Sequence, residues 1–312
     1  MSSIIPILIP FFAVIACGFA AARLKVLSDE GIGGLNVFVY YVALPALLFR
    51  VTATRPLAEI ADLSFLGAYA FAGLGLYAAG AVVARRLLRA SLADTAFIGL
   101  GASMANIAYL AIPLVIALLG ENGAVPLVLC IVVDQTLLVP LTIALVEAGK
   151  TRGPGAGAMV RDILQSLYLN PLLLGIAAGI GASVAGLSVA GPVDSFVRLL
   201  AAAVAPSALF AVGATLVARP SSVNLTSAAA VSAMKLFLHP LVFWLAAAFL
   251  FGVNAFATTV GILAAAMPVS KTVFILAHRF HVHVTGTAAA IVVSTAAALV
   301  TLSVLAATLV SR

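Results

Sequence analysis

Pro45-Ala46-Leu47-Leu48-Phe49-Arg50-Val51-Thr52-Ala53-Thr54 returns 161 residues later as Pro206-Ser207-Ala208-Leu209-Phe210-Ala211-Val212-Gly213-Ala214-Thr215, with six identities. The same register runs backward through Pro10 and Pro171, Ile15 and Ile176, Ala16 and Ala177, and Gly18 and Gly179. Single matches carry little in a chain rich in Ala and Leu, so the prolines and the Phe hold most of the weight. A P-x-x-L-F motif used twice in apolar surroundings predicts two related halves. In membrane proteins such repeats bring a substrate site to the place where the halves meet.

Composition puts those halves in a bilayer. Hydrophobic residues make up 64% of the 312 and charged residues 8%, against about 25% charge in a soluble domain. At roughly 20 apolar residues per spanning helix, the length allows about ten crossings and leaves no room for a soluble domain. The net charge of +6 comes from Lys and Arg at helix ends, which reads as topology and excludes a nucleic-acid surface. Cys17 and Cys130 lie inside apolar runs without paired spacing, so neither a disulfide nor a metal site is expected. The first apolar run follows Met1-Ser2-Ser3 with neither a basic leader nor a cleavage pattern, and reads as a retained helix.

Charge clusters and Gly/Pro/Asn-rich turns divide the chain into segments at about 4–22, 33–54, 64–86, 95–119, 123–148, 163–183, 193–217, 226–251, 256–278 and 284–310. The first half is then 1–148 and the second 163–312, joined by a Gly/Pro linker over 149–162. Ten of the sixteen basic residues (Arg23, Lys25, Arg85, Arg86, Arg89, Lys150, Arg152, Arg161, Arg219 and Arg279) fall in loops on one side, against Arg50, Arg55, Arg198 and Arg312 on the other. The positive-inside rule makes the first side cytoplasmic and turns both termini outward. Five segments per half is an odd number, so the second half runs through the bilayer in the opposite sense and the repeat is inverted.

The fourth segment, Gly99 to Pro113, and its counterpart from Thr258 through Met267-Pro268-Val269-Ser270-Lys271 each combine small or polar residues with a central proline. A proline there removes a backbone donor and crowds the preceding turn, so breaks are expected at Pro113 and Pro268. Groups freed in hydrocarbon need protein or a wet cavity, which marks the paired breaks as a binding site. Three strongly charged residues fall at mid-depth: Asp134, Lys235 and Lys271. Two cations against one anion suit a carboxylate-bearing substrate. Lys271, just past the break, is placed to meet it, together with Ser103, Asn106, Tyr109 and Ser270; Asn106 stands out because an amide both donates and accepts. Asp134 reads either as a structural partner of a lysine or as a proton carrier. Lys235 either snorkels to the interface or joins it, with His239 on the same helical face. His278, His281 and His283 read as an interfacial helix end and not as metal ligands.

Leu35 to Phe49, then Ala105-Asn106 with Ile112-Pro113, then Met267-Pro268-Val269 leading to Phe274-Ile275-Leu276-Ala277, and Ser294-Thr295, together resemble the auxin efflux carrier family of the bile acid, arsenite and riboflavin transporter superfamily. The resemblance implies an all-α membrane fold of ten helices in two inverted five-helix repeats. In that scheme helices one, two, six and seven are scaffold, the rest are a transport domain, and broken helices four and nine cross at the site. It implies secondary transport of a small organic anion, such as malonate, malate or an auxin-like acid, with no cofactor. The short linker favours a compact bacterial, inner-membrane type. Sodium-coupled relatives carry a carboxylate near the ninth-helix crossover; Lys271 stands there instead, which favours H+ coupling or uniport over a sodium symporter. A channel or receptor-like sensor is the alternative that the repeat leaves open. An enzyme is not, because neither a nucleophile with its base nor a metal-binding motif is present. Small residues such as Ala201, Ala202 and Ala203 could pack helices inside one subunit or across a homodimer.

Overall fold

Polar residues in the breaks start the helices. Ser28, Ser91, Asn170, Asn254 and Ser270 each accept a hydrogen bond from a backbone N–H two or three residues on, and Asp62 does the same where a helix restarts at Leu63, taking up donors that the first turn leaves free. The computed structural model describes residues 5–149, 156–187, 189–217 and 225–309. Among these the chain is all-helical: α1 (Ile5–Arg23), α2 (Asp29–Ala53), α3 (Leu57–Arg86), α4 (Leu92–Ser103), α5 (Ile107–Leu119), α6 (Glu121–Ala148), α7 (Ala156–Tyr168), α8 (Pro171–Val184), α9 (Gly191–Thr215), α10 (Leu225–Leu250), α11 (Ala255–Ala265), α12 (Lys271–Phe280) and α13 (Val284–Leu309).

Seven of these helices are long and apolar enough to cross a membrane, or eight if α7 and α8, bent by 55°, form one span. The fourth and ninth sequence segments are instead two short helices each, α4 with α5 and α11 with α12. The stretch read as linker departs from expectation at its end. Residues 150–155, with Lys150 and Arg152, lie outside the described residues, as do Arg219 and Arg312, but a helix already begins at Ala156. Its apolar Met159, Ile163 and Leu167 recur at helical spacing, and Asp162 meets Arg279 at 3.7 Å.

Four prolines share one local geometry. Pro45, Pro113, Pro140 and Pro240 each stand two residues after a five-residue π turn: Val39–Ala43, Ile107–Ala111, Asp134–Leu138 and Met234–Leu238. A proline ring crowds the carbonyl four residues back and offers it no donor; widening the preceding turn relieves the clash without severing the helix.

Packing is close where side chains are small. α1 runs along α9 and α8 along α2. A Cβ on Gly18 would lie 2.0 Å from the Phe210 carbonyl oxygen, and one on Gly179 2.5 Å from that of Phe49. These two contacts differ by the same 161 residues at both ends. Likewise a Cβ on Gly213 would meet the Ile15 carbonyl, while Thr52, its counterpart, donates to Ile176 O at 3.4 Å. With no solvent to drive helices together in lipid, this backbone-to-backbone approach maximises dispersion. Ala201 is buried within the chain on α9.

Candidate functional site

α4 ends at Ser103 and α11 at Ala265, each followed by a few non-helical residues. The two interruptions meet. Ala105 and Val269 form an isolated antiparallel bridge: the Asn106 N–H donates to Pro268 O at 2.9 Å, and the Ser270 N–H to Met104 O at 3.2 Å. Val269 N–H donates to Ser294 Oγ on α13 at 3.1 Å. Backbone groups that leave a helix at these interruptions thus satisfy one another and a neighbouring hydroxyl.

Pro268 stands inside its interruption. Pro113 does not: it sits in the first turn after the π turn of α5, seven residues beyond Asn106, where the chain leaves helical geometry (φ −78°, ψ 63°). The π turn absorbs the proline. The break falls instead at Asn106, whose backbone N–H bonds Pro268 O across the crossing in place of a helical carbonyl.

Beside the crossing lies a cavity of about 600 Å³, lined among others by Asn36, Tyr109, Thr215, Lys271, Phe274 and Ile291. Lys271 opens α12 immediately after the break. Its Nζ donates to Asn36 Oδ1 at 3.2 Å and lies 4.7 Å from the centre of the Tyr109 ring. Tyr109 Oη donates to Asn36 O at 3.3 Å. Asp29 lines the same cavity, but Lys271 forms no ion pair among the described residues. An ammonium held by one amide and one aromatic face keeps donors free for a carboxylate. Asn36 did not stand out in the sequence; its place one and a half turns before Tyr41 on an apolar helix, polar among Leu35 and Val37, was the available signal.

The other residues singled out divide into two groups. Ser103 is fully buried and donates to Gly99 O and Leu100 O, Asn106 is 2% exposed within the bridge, and Ser270 caps α12 by accepting from Thr272 N–H. These build the crossing, while Tyr109 and Lys271 face the cavity. Asp134, Lys235 and His239 form a separate buried cluster on α6 and α10. Lys235 does not reach the interface: it is fully buried, its Nζ 2.9 Å from His239 Nδ1 and bonded to the carbonyl of Ala265, the last residue of α11. A cation on a helix C-terminus is favourably placed against its dipole. The His239 ring lies 5.7 Å from that of Tyr69, and Asp134 Oδ1, Tyr69 Oη and His239 Nε2 have no hydrogen-bond partner. His283, at the end of the α12–α13 turn, pairs with Asp94 on α4 at 3.5 Å, and the described residues hold no group of three metal-ligating side chains.

These features accompany a clear kinship. A protein from Rhizobium meliloti (strain 1021) named "Putative malonate transporter" is 28% identical over 297 residues, covering 95% of this chain and 92% of that one. The family described as "Membrane transport protein" matches residues 3–154 and 156–306, two stretches that together span almost the whole sequence. The chain therefore belongs to that family, the auxin efflux carriers it resembles, and is a membrane transporter and not an enzyme.

Proposed function

We propose that this protein is a secondary carrier that moves a small carboxylate, malonate or a close analogue, across the inner membrane by alternating access. The observation that carries the proposal is Lys271: an ammonium without a carboxylate partner, set by Asn36 and Tyr109 in a cavity beside two interrupted helices that bond to each other. A dicarboxylate of this size fits a 600 Å³ cavity with room for water. The relative named for malonate transport favours the same class.

Ten crossings in two inverted halves account for this arrangement. Each interrupted pair, α4 with α5 and α11 with α12, then crosses once, and α7 with α8 makes the sixth crossing. The reciprocal contacts of Gly18 with Phe210 and Gly179 with Phe49 are what a two-fold axis in the membrane plane produces. α1, α2, α8 and α9 form the scaffold in this scheme, and the cavity lies between it and the mobile helices. Its rim near Ala22 and Asp29 adjoins Arg23 and Lys25, so it opens toward the cytoplasm and both termini face outward. Asp134, with an unpartnered carboxylate oxygen near the Lys235 ammonium, is the candidate proton carrier.

The test is uptake of labelled malonate into proteoliposomes, with and without a pH gradient. Wild-type protein should accumulate it; Lys271→Ala should lose at least tenfold in half-saturation, the weight of a charge-assisted hydrogen bond of about 1.5–3 kcal/mol. Failure to transport any mono- or dicarboxylate, or full activity in Lys271→Ala, would overturn the reading.

A further inference from the structure

A second cavity, of about 310 Å³, lies at the opposite end of the same helices, lined by Arg50, Arg55, Arg198, Glu121, Ile112 and Pro113 among others. On α2 the first cavity uses Asn36 and the second Arg50, fourteen residues or roughly 21 Å along the axis at 1.5 Å per residue. On α5 the separation is one turn, Tyr109 facing the first and Pro113 the second. In the topology proposed above, the two cavities open on opposite faces of the membrane.

Three guanidiniums here meet three carboxylates. Asp194 takes Arg50 Nε at 3.2 Å and also binds Arg198, while Glu59 takes Arg55 Nη1 at 3.4 Å. Arg55 Nη2 donates to Asn122 Oδ1. The third carboxylate is Glu121, whose two oxygens lie 3.2 and 3.3 Å from Arg50 Nη1. Asp194 is 14% exposed and Glu121 69%. The first is therefore a fixed brace, and the second is an exposed partner that holds weakly and exchanges easily. When Glu121 swings out, the cavity carries one uncompensated positive charge on a guanidinium already braced from its other edge. Glu121 opens α6 at its corner with α5, and Arg50 lies on α2, so the pair also ties a helix of the proposed scaffold to the helices of the proposed mobile domain.

We propose that this cavity is a second anion subsite, in which Arg50 receives one carboxylate of the transported acid and Glu121 is the tethered carboxylate that occupies the place in its absence. Binding from this face exchanges one carboxylate for another on Arg50 and releases the tie between α2 and the α5–α6 corner. The subsite rests on the carrier reading above for its role in transport, though not for its existence.

The experiment labels a single cysteine, Thr54→Cys at the cavity lining with Cys17 and Cys130 replaced by Ala, using a membrane-impermeant maleimide, with malonate as protectant. It is run in otherwise wild-type protein and in Lys271→Ala, where the first site is disabled. Malonate should slow labelling in both. Glu121→Gln should lower the half-protecting concentration about two- to fivefold, as expected on removing a weak competing ion pair, and Arg50→Gln should raise it at least tenfold. Unprotected labelling in both backgrounds, protection that survives Arg50→Gln, or no shift in Glu121→Gln would each overturn the subsite. Protection without uptake would leave the subsite standing while the carrier reading falls; uptake without protection would do the reverse.

Discussion

Tyr109 makes two separable contributions, since its ring faces the Lys271 ammonium and its hydroxyl reaches Asn36 O. Tyr109→Phe keeps the ring and should change malonate half-saturation by no more than about threefold, the weight of a neutral hydrogen bond at the low end of its range. Tyr109→Leu removes the aromatic face as well and should cost about 1–2 kcal/mol, a five- to thirtyfold weaker half-saturation; equal effects of the two would remove the ring from the site. His283 offers a test against pH. Burial lowers its pKa from the usual 6.5, with Asp94 opposing. A base whose folded pKa is depressed favours the native state above 6.5, and that contribution is lost as pH falls below it. The thermal midpoint of the wild type should therefore drop further between pH 7.5 and 5 than that of His283→Gln. At this scale Lys271 and Tyr109 could be read from the sequence because a charge and a phenol are conspicuous at mid-depth. Asn36 could not, because it lies seventy-three residues from Tyr109 and 235 from Lys271, and only the fold brings them together.

At the scale of elements, an all-helical chain of several membrane spans was legible because hydropathy is a local property. The position of the first interruption was not. Pro113 marks a π turn and Asn106 the break, since a proline can be accommodated by widening one turn whereas an asparagine with a neighbouring partner can leave the helix altogether. The recurring π turn has its own consequence: Tyr109, Asp134 and Lys235 all sit within one, so each of these side chains is re-aimed relative to a regular helix by a proline farther along. Close packing gives the sharper prediction. Gly18→Ala drives a Cβ into the Phe210 carbonyl and should destabilise the protein by about 1–3 kcal/mol or more. Gly33→Ala on α2, with nothing within 4 Å, should be neutral or stabilising by about 0.5–1 kcal/mol. Thermal midpoints in detergent separate the two, and equal midpoints would deny the close approach of α1 and α9.

For the molecule as a whole, the repeated motif around Pro45 and Pro206 suggested two related halves but not how they engage. Long-range contact is invisible to a self-comparison of sequence. In the structure α1 lies against α9 and α8 against α2, so neither α1 nor α8 is covered by its own half alone. Biosynthesis must respect that exchange: while the ribosome is still making α8 and α9, α1 and α2 wait in the lipid without their final neighbours. Two fragments divided within 150–155 and expressed separately should each be degraded or aggregate, whereas co-expression should yield a copurifying, folded pair. A first fragment that is stable and monodisperse without the second would contradict the exchange, and with it the notion that the two halves mature only as a unit.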